Sequence, residues 1–175
     1  RPLAEALDAT NATGGQATLQ SLLTNFENAW KQLEATPEDT ALKALVVQRG
    51  QELTAELHRL AGLRSNLEHN AQQRLQSDVA TLNEAARNVE ALNAKIISQK
   101  AAGMPTGDLE DLRDAEAAKI AGLVGIRTMV DDTGRMSIYT DTGTQIVGVS
   151  AQRFSYDPAS GRISTAGGLD VTVFD

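Results

Sequence analysis

The sequence predicts an α+β fold, a long antiparallel helical rod or bundle followed by an antiparallel β-meander, and three observations carry the prediction. Leu53, Leu57, Leu60, Leu63, Leu67, Ala71, Leu75, Val79, Leu82, Ala86, Val89, Leu92 and Ile96 form one apolar stripe. It covers 43 residues in 12 steps, about 3.6 per step, which is the period of an α-helix. Past Gly125 the apolar period drops to two and turn residues recur. Ten of the 14 glycines lie from Gly103 onward, which sets a composition boundary near residue 125. The expected organisation is a helical rod domain over 1–125 and a β-rich domain, truncated at its end, over 126–175.

Pro2 to Ala9 reads as a short helix that breaks at Asn11-Ala12-Thr13-Gly14-Gly15. A firmer helix follows, with Leu19, Leu22, Leu23, Phe26, Trp30 and Leu33 on one face and an end near Ala35. Thr36-Pro37-Glu38-Asp39 reads as the next start, with Thr36 as cap, Pro37 in the first turn and Asp39 completing a capping-box pattern. The long helix then runs to about Lys100, crossing Gly50 and Gly62, each of which costs roughly 1 kcal/mol relative to alanine. Its stripe alone spans roughly 65 Å at 1.5 Å per residue, so other helices of this chain, parts of a longer parent or neighbouring subunits must cover it.

Ala101 to Gly107 is a turn, and Asp108 caps a third helix to about Leu123 with Leu109, Leu112, Ala115 (or Glu116) and Ile120 near one face. So short a loop folds that helix back antiparallel on the long one. Ile126 to Val130, Met136 to Ile138 and Thr144 to Val149 then alternate as strands, separated by Asp-Thr-Gly turns. Asp157 to Gly161 and Gly167-Gly168 bound two more, ending in Val171-Thr172-Val173-Phe174.

Composition narrows the function. Aromatics make up 3% of the 175 residues, so the core must come from Leu, Ala, Val and Ile. A net charge of −7 argues against nucleic acid or an anionic membrane as partner. The absence of cysteine removes disulfide, zinc-thiolate and thiol-nucleophile chemistry. No apolar run approaches the ~20 residues of a membrane span. The chain starts at Arg1 rather than Met and reads as a fragment, so a missing leader carries no information.

Each candidate site has a plainer reading. Asp132-Thr133-Gly134 and Asp141-Thr142-Gly143 repeat the tripeptide of aspartic proteases, whose paired carboxylates must share a proton. Here they sit at opposite ends of one strand, roughly 20 Å apart at ~3.3 Å per residue, and serve as turns. His58 and His69 are roughly 16 Å apart along a helix, too far for one metal ion, and read as a solvated face. Asp108, Glu110, Asp111, Asp114 and Glu116 crowd a helix start, where the helix dipole favours them, and Arg113 can pair with Glu110. Trp30 and Phe26 follow the apolar stripe and read as packing anchors. Neither cofactor nor catalytic constellation is expected.

Several segments together resemble the flagellar hook-associated protein 1 family. Phe26, Leu33, Thr36-Pro37-Glu38-Asp39 and Ala41-Leu42-Lys43-Ala44-Leu45 are similar to the family's first core helices, with Thr36 where the family has Asn. Leu92-Asn93-Ala94-Lys95-Ile96 is similar to the end of its long helix. Gly107 to Asp114 resembles its Asn-Asp-Leu-Leu-Asp-Gln-Arg-Asp signature, sharing Asp108, Leu109, Asp111, Arg113 and Asp114. The resemblance implies the middle of a longer structural subunit that joins hook to filament as a ring and performs no catalysis. It further implies an extracellular location reached by flagellar type III secretion. The implied partners are copies of itself and other axial proteins (the hook protein and a second junction protein), with an export chaperone bound through regions absent here. The fragment itself is expected to be monomeric and to bind neither nucleic acid nor membrane. On this reading Leu57, Leu60, Leu67, Leu82, Val89 and Leu92 form the rod core, and the signature residues fix the helix–turn–helix corner. The alternative is an extracellular or periplasmic helical stalk carrying a β-rich binding or adhesin head.

Overall fold

The computed structural model describes residues 18–168, 170 and 171. The expected helix at Pro2–Ala9 and the end of the last expected strand, 172–174, lie outside these residues. The chain groups into two compact units, one ending at Glu68 and the other beginning at His69.

In the first unit, α1 (Leu19–Ala35) opens on Thr18, whose Oγ1 accepts from the Ser21 N–H at 3.1 Å. The next cap is Asp39 rather than Thr36. Asp39 Oδ1 accepts from the N–H groups of Ala41 (2.7 Å) and Leu42 (3.3 Å), opening α2 (Thr40–Ala101). A cap must lie within three residues of the N–H groups it satisfies, and Thr36 is too early. Thr36 instead closes α1, donating its N–H to the Leu33 carbonyl and its hydroxyl to that of Gln32.

The long helix passes unbroken through both glycines. Gly50 earns its place because a Cβ there would stand 3.3 Å from the Phe26 ring. Phe26 in turn meets Trp30 edge-on, with ring centroids 6.3 Å apart. Ala29 and Val46 are buried, but Trp30 is half exposed, so it anchors less than its place on the stripe suggests.

Leu60 is half-buried, whereas Leu57 and Leu67 are 49% and 47% exposed and do not form the core expected of them. Their spacing is correct, but residues 61–71 are all exposed and no described element covers them.

The second unit contains the rest of α2, α3 (Gly107–Ala121) and five strands: β1 (Ile126–Val130), β2 (Met136–Thr140), β3 (Gln145–Val147), β4 (Phe154–Asp157) and β5 (Arg162–Thr165). Helix α3 runs antiparallel to α2, since Arg113 reaches Asn93 while the later Ile120 joins one apolar cluster with the earlier Val79, Leu82, Ala86 and Val89. It starts one residue before Asp108, and its buried face is Arg113, Ala117 and Ile120, leaving Leu112 57% exposed.

The strands form the expected antiparallel meander, β1-β2-β3, followed by a separate antiparallel hairpin, β4-β5. A reversal at Gly148, whose N–H bonds to the Ser150 carbonyl, ends β3 short of the expected Val149. Strand β2 buries Met136, Ile138 and Thr140 on one face, and an antiparallel sheet with one apolar face needs a cover. Val79, Leu82, Ala86 and Val89 of α2, with Ile120 of α3, supply it, packing against Ile138, Ile146, Phe154 and Ile163. The composition boundary near residue 125 therefore marks a change of period, while the packing runs straight across it.

Candidate functional site

The helix–strand junction of the second unit is held by side chains of α2 that imitate a neighbouring strand. Asn93 donates Nδ2 to the Met136 carbonyl (2.8 Å) and accepts on Oδ1 from the Met136 N–H (2.9 Å). Asn83 does the same to Phe154, at 2.8 Å each way. Each strand residue offers one donor and one acceptor, which fixes how the amide is turned. Glu90 accepts from the Ala151 N–H at 3.0 Å, and Lys100 donates to the Asp132 carbonyl at 2.9 Å. These contacts run in reverse order along the two segments, so the β region is pinned along α2 at several levels.

Sequence reasoning missed this ladder. Its available signal was Asn, a poor helix former, directly after inward-facing leucines at Leu82-Asn83 and Leu92-Asn93.

Arg113 completes the junction. It is 4% exposed, and its Nη1 donates to the Gly134 carbonyl at 2.7 Å and to Asn93 Oδ1 at 3.4 Å. Its Nε stands 3.8 Å from the exposed Asp114 carboxylate and makes no hydrogen bond. The expected pair with Glu110 is not formed, because Glu110 accepts from the Thr106 hydroxyl. Gly134 has φ +91°, and a Cβ there would approach Ile96 to 3.1 Å, so the turn that receives Arg113 needs glycine. Of the signature residues, Arg113 is the buried one, and it hydrogen-bonds the β1–β2 turn. Leu109 is half-buried, and Asp108, Asp111 and Asp114 are exposed.

The other expected sites are turns and surface. In the first Asp-Thr-Gly turn it is Asp131 that works, its Oδ1 accepting from Thr133 and from the Arg135 N–H. The Thr133 hydroxyl, foremost, holds that carboxyl below its ordinary value. Asp132 and Asp141 flank opposite ends of β2, and Asp141 lies 3.5 Å from Arg127 in an exposed pair. His58 and His69 are exposed. Among the described residues no three His, Cys, Asp or Glu could hold a metal ion, and no helix is long and apolar enough to cross a membrane. An apolar cavity of about 190 Å³ lies between Leu75, Val79, Phe154 and Ile163, smaller than the ~300 Å³ at which small-molecule sites begin. The arrangement is mechanical: it locks strands to a helix.

The profile of the flagellar hook-associated protein FlgK helical domain matches residues 4–171, spanning helices and strands together. Flagellar hook-associated protein 1 of Bacillus subtilis (strain 168) is 22% identical over 126 residues, which is 72% of this chain and 25% of that protein. The solved flagellar hook junction protein FlgK from Burkholderia pseudomallei superposes with a TM-score of 0.78 at 20% identity, over 93% of this chain and 31% of that one. The chain thus spans only a quarter to a third of these relatives, and the structural likeness shows a shared fold.

Proposed function

This chain belongs to the FlgK family of flagellar hook-associated proteins, and from that premise we propose that it is part of a structural subunit joining hook to filament. It acts through subunit contacts and not through catalysis. The observation that carries the reading is the run of bare leucines on α2. Leu57, Leu63 and Leu67 are exposed at helical spacing, a pattern that marks a surface awaiting a partner. In the assembled flagellum, neighbouring helices of the parent polypeptide or of adjacent subunits cover them. The partners are further copies and other axial proteins, and the site of action is outside the cell after export by the flagellar secretion apparatus. Asn83, Asn93 and Arg113 keep the β region locked to α2 while the bare face is engaged.

Immunogold electron microscopy of isolated flagella, with antibodies raised against this chain, tests the reading. Label confined to a band between hook and filament is expected. Label along the whole filament would make the chain part of a filament subunit, and absence of label from flagella would favour a stalk with a binding head.

A further inference from the structure

We propose that the bare face of α2 over residues 57–68 seats in the tryptophan groove of α1 on a second copy of this chain, in a head-to-tail contact of like polarity. The groove is an open hollow of about 690 Å³ on α1 and the turn after it. Phe26, Trp30, Leu33 and Pro37 give it an apolar lining, with Trp30 half exposed, and Glu27, Lys31 and Glu34 supply its charges. The bare face carries the complement. Arg64 stands on the leucine stripe itself, one helical turn from Leu60 and from Leu67, and Glu68 follows four residues on. Leu63, Arg64, Leu67 and Glu68 are all exposed. Arg49 and Arg59 of the same helix are paired, to Glu52 and Glu56. Among the described residues Lys31, Glu34, Arg64 and Glu68 make no ion pair.

One chain thus displays an apolar hollow and an apolar ridge, each with free charges. A ridge that fits a hollow elsewhere on the same molecule makes a heterologous contact, which repeats into a ring or a helix and does not close at two. Polarity sets the register. Within one copy α1 and α2 are antiparallel, since Phe26 lies against Gly50 across the turn at 36–39. In a neighbour of like polarity, α2 therefore also runs antiparallel to the groove. With Arg64 of the partner subunit at Glu34, the partner's Glu68 reaches Lys31 and the partner's Leu67 covers Trp30, because three and four residues are each about one turn. Both charge pairs are of opposite sign. The contact deepens the assembly reading and takes its like polarity from it, whereas the match of the two surfaces stands on their own chemistry.

Trp30 is the only tryptophan, so acrylamide quenching of its fluorescence reads the groove directly. Sedimentation velocity of the purified chain from roughly 10 μM to roughly 1 mM, the range in which a small interface associates, is read alongside it. Species that grow past the dimer with concentration are expected, with Trp30 shielded in step. Glu34→Arg and Arg64→Glu should each weaken association by about tenfold or more, because each sets like charges together. Mixing the two variants should restore it, since each then meets an opposite charge on the other, and that recovery shows that both fold. A chain that stays monomeric with Trp30 open to quencher at every concentration would overturn the proposal. So would association that stops at a dimer, association that both variants leave unchanged, or a Trp30 already shielded in a longer, monomeric form of the polypeptide. Flagellar labelling reads the junction role separately. A monomeric chain with label at the junction ends this contact and leaves the role standing, whereas growth past the dimer with no label on flagella keeps the contact and removes its setting.

Discussion

Two stretches of one helix carry the same apolar spacing and meet opposite fates. From Val79 to Ile96 the stripe is covered, with Val79, Leu82, Ala86, Val89 and Ile96 all buried. From Leu57 to Leu67 the leucines recur at the same period, yet Leu57, Leu63 and Leu67 stand exposed and Leu60 is only half-buried. Periodicity reports which face of a helix is apolar. It does not report what lies against that face, which depends on elements distant in sequence. The covered stretch is also the one whose flanks carry Asn83, Glu90 and Asn93 for the strands.

The sharpest way to break this comparison is a charge in each stretch. Leu82→Asp buries an unpaired carboxylate against the sheet and should cost about 3–5 kcal/mol. Leu67→Asp should change stability by no more than about 0.5 kcal/mol in the isolated chain. Urea unfolding followed through hydrogen exchange of the β2 amides measures both, and equal losses would refute the difference in cover.

Next in size is Asn93→Ala, which strands the Met136 N–H and C=O in a buried site and should cost about 2–4 kcal/mol. Asn83→Ala acts on the half-buried clamp at Phe154 and should cost about 1–2 kcal/mol. The same measurement ranks them, and a neutral Asn93→Ala would show that the amide does not hold the strand.

In the first unit the effect is smaller. Asp39→Ala removes the α2 cap and should cost about 1 kcal/mol, with Thr36→Ala costing less than half as much. Trp30, the only tryptophan, reports this unit by fluorescence. The reverse ranking would return the cap to Thr36.

The smallest effect is with pH. The Glu116 carboxyl is held below its ordinary value, foremost by Lys119 at 2.7 Å and then by Asn88. Its folded pKa lies below its unfolded one, so its stabilising contribution is complete above about pH 4.5 and fades as pH falls through the lower folded value. Lys119→Met should therefore destabilise slightly at neutral pH and leave stability near pH 2 unchanged. A loss of equal size at both pH values would remove the carboxylate from the account.

Much of this arrangement could be read from sequence, for local reasons. The bounds of α1, the continuity of α2 across two glycines and the turns at Gly134 and Gly143 follow from spacing and backbone preference. The Asn clamps do not, because locally an asparagine inside a helix is only a loss, and its partners lie 43 and 71 residues away. From its neighbours Arg113 reads as a partner of Glu110, whereas its contact is a carbonyl 21 residues on. Leu57 and Leu67 were indistinguishable from Leu82 and Val89, since all four keep the helical period. Within the signature segment, Arg113 is the buried residue, and it hydrogen-bonds the turn at Gly134.

The central claim is that the bare stretch of α2 is covered by assembly and the other stretch by the chain's own strands. The sequence has no cysteine, so single reporters can be placed freely. The most direct measurement compares maleimide labelling of Leu67→Cys and Leu82→Cys in the isolated chain and in intact flagella whose junction subunit carries the same substitution. The account predicts that Leu67→Cys reacts readily in the isolated chain and becomes protected in the flagellum, while Leu82→Cys is slow in both. Equal reactivity of Leu67→Cys in the two states would contradict it.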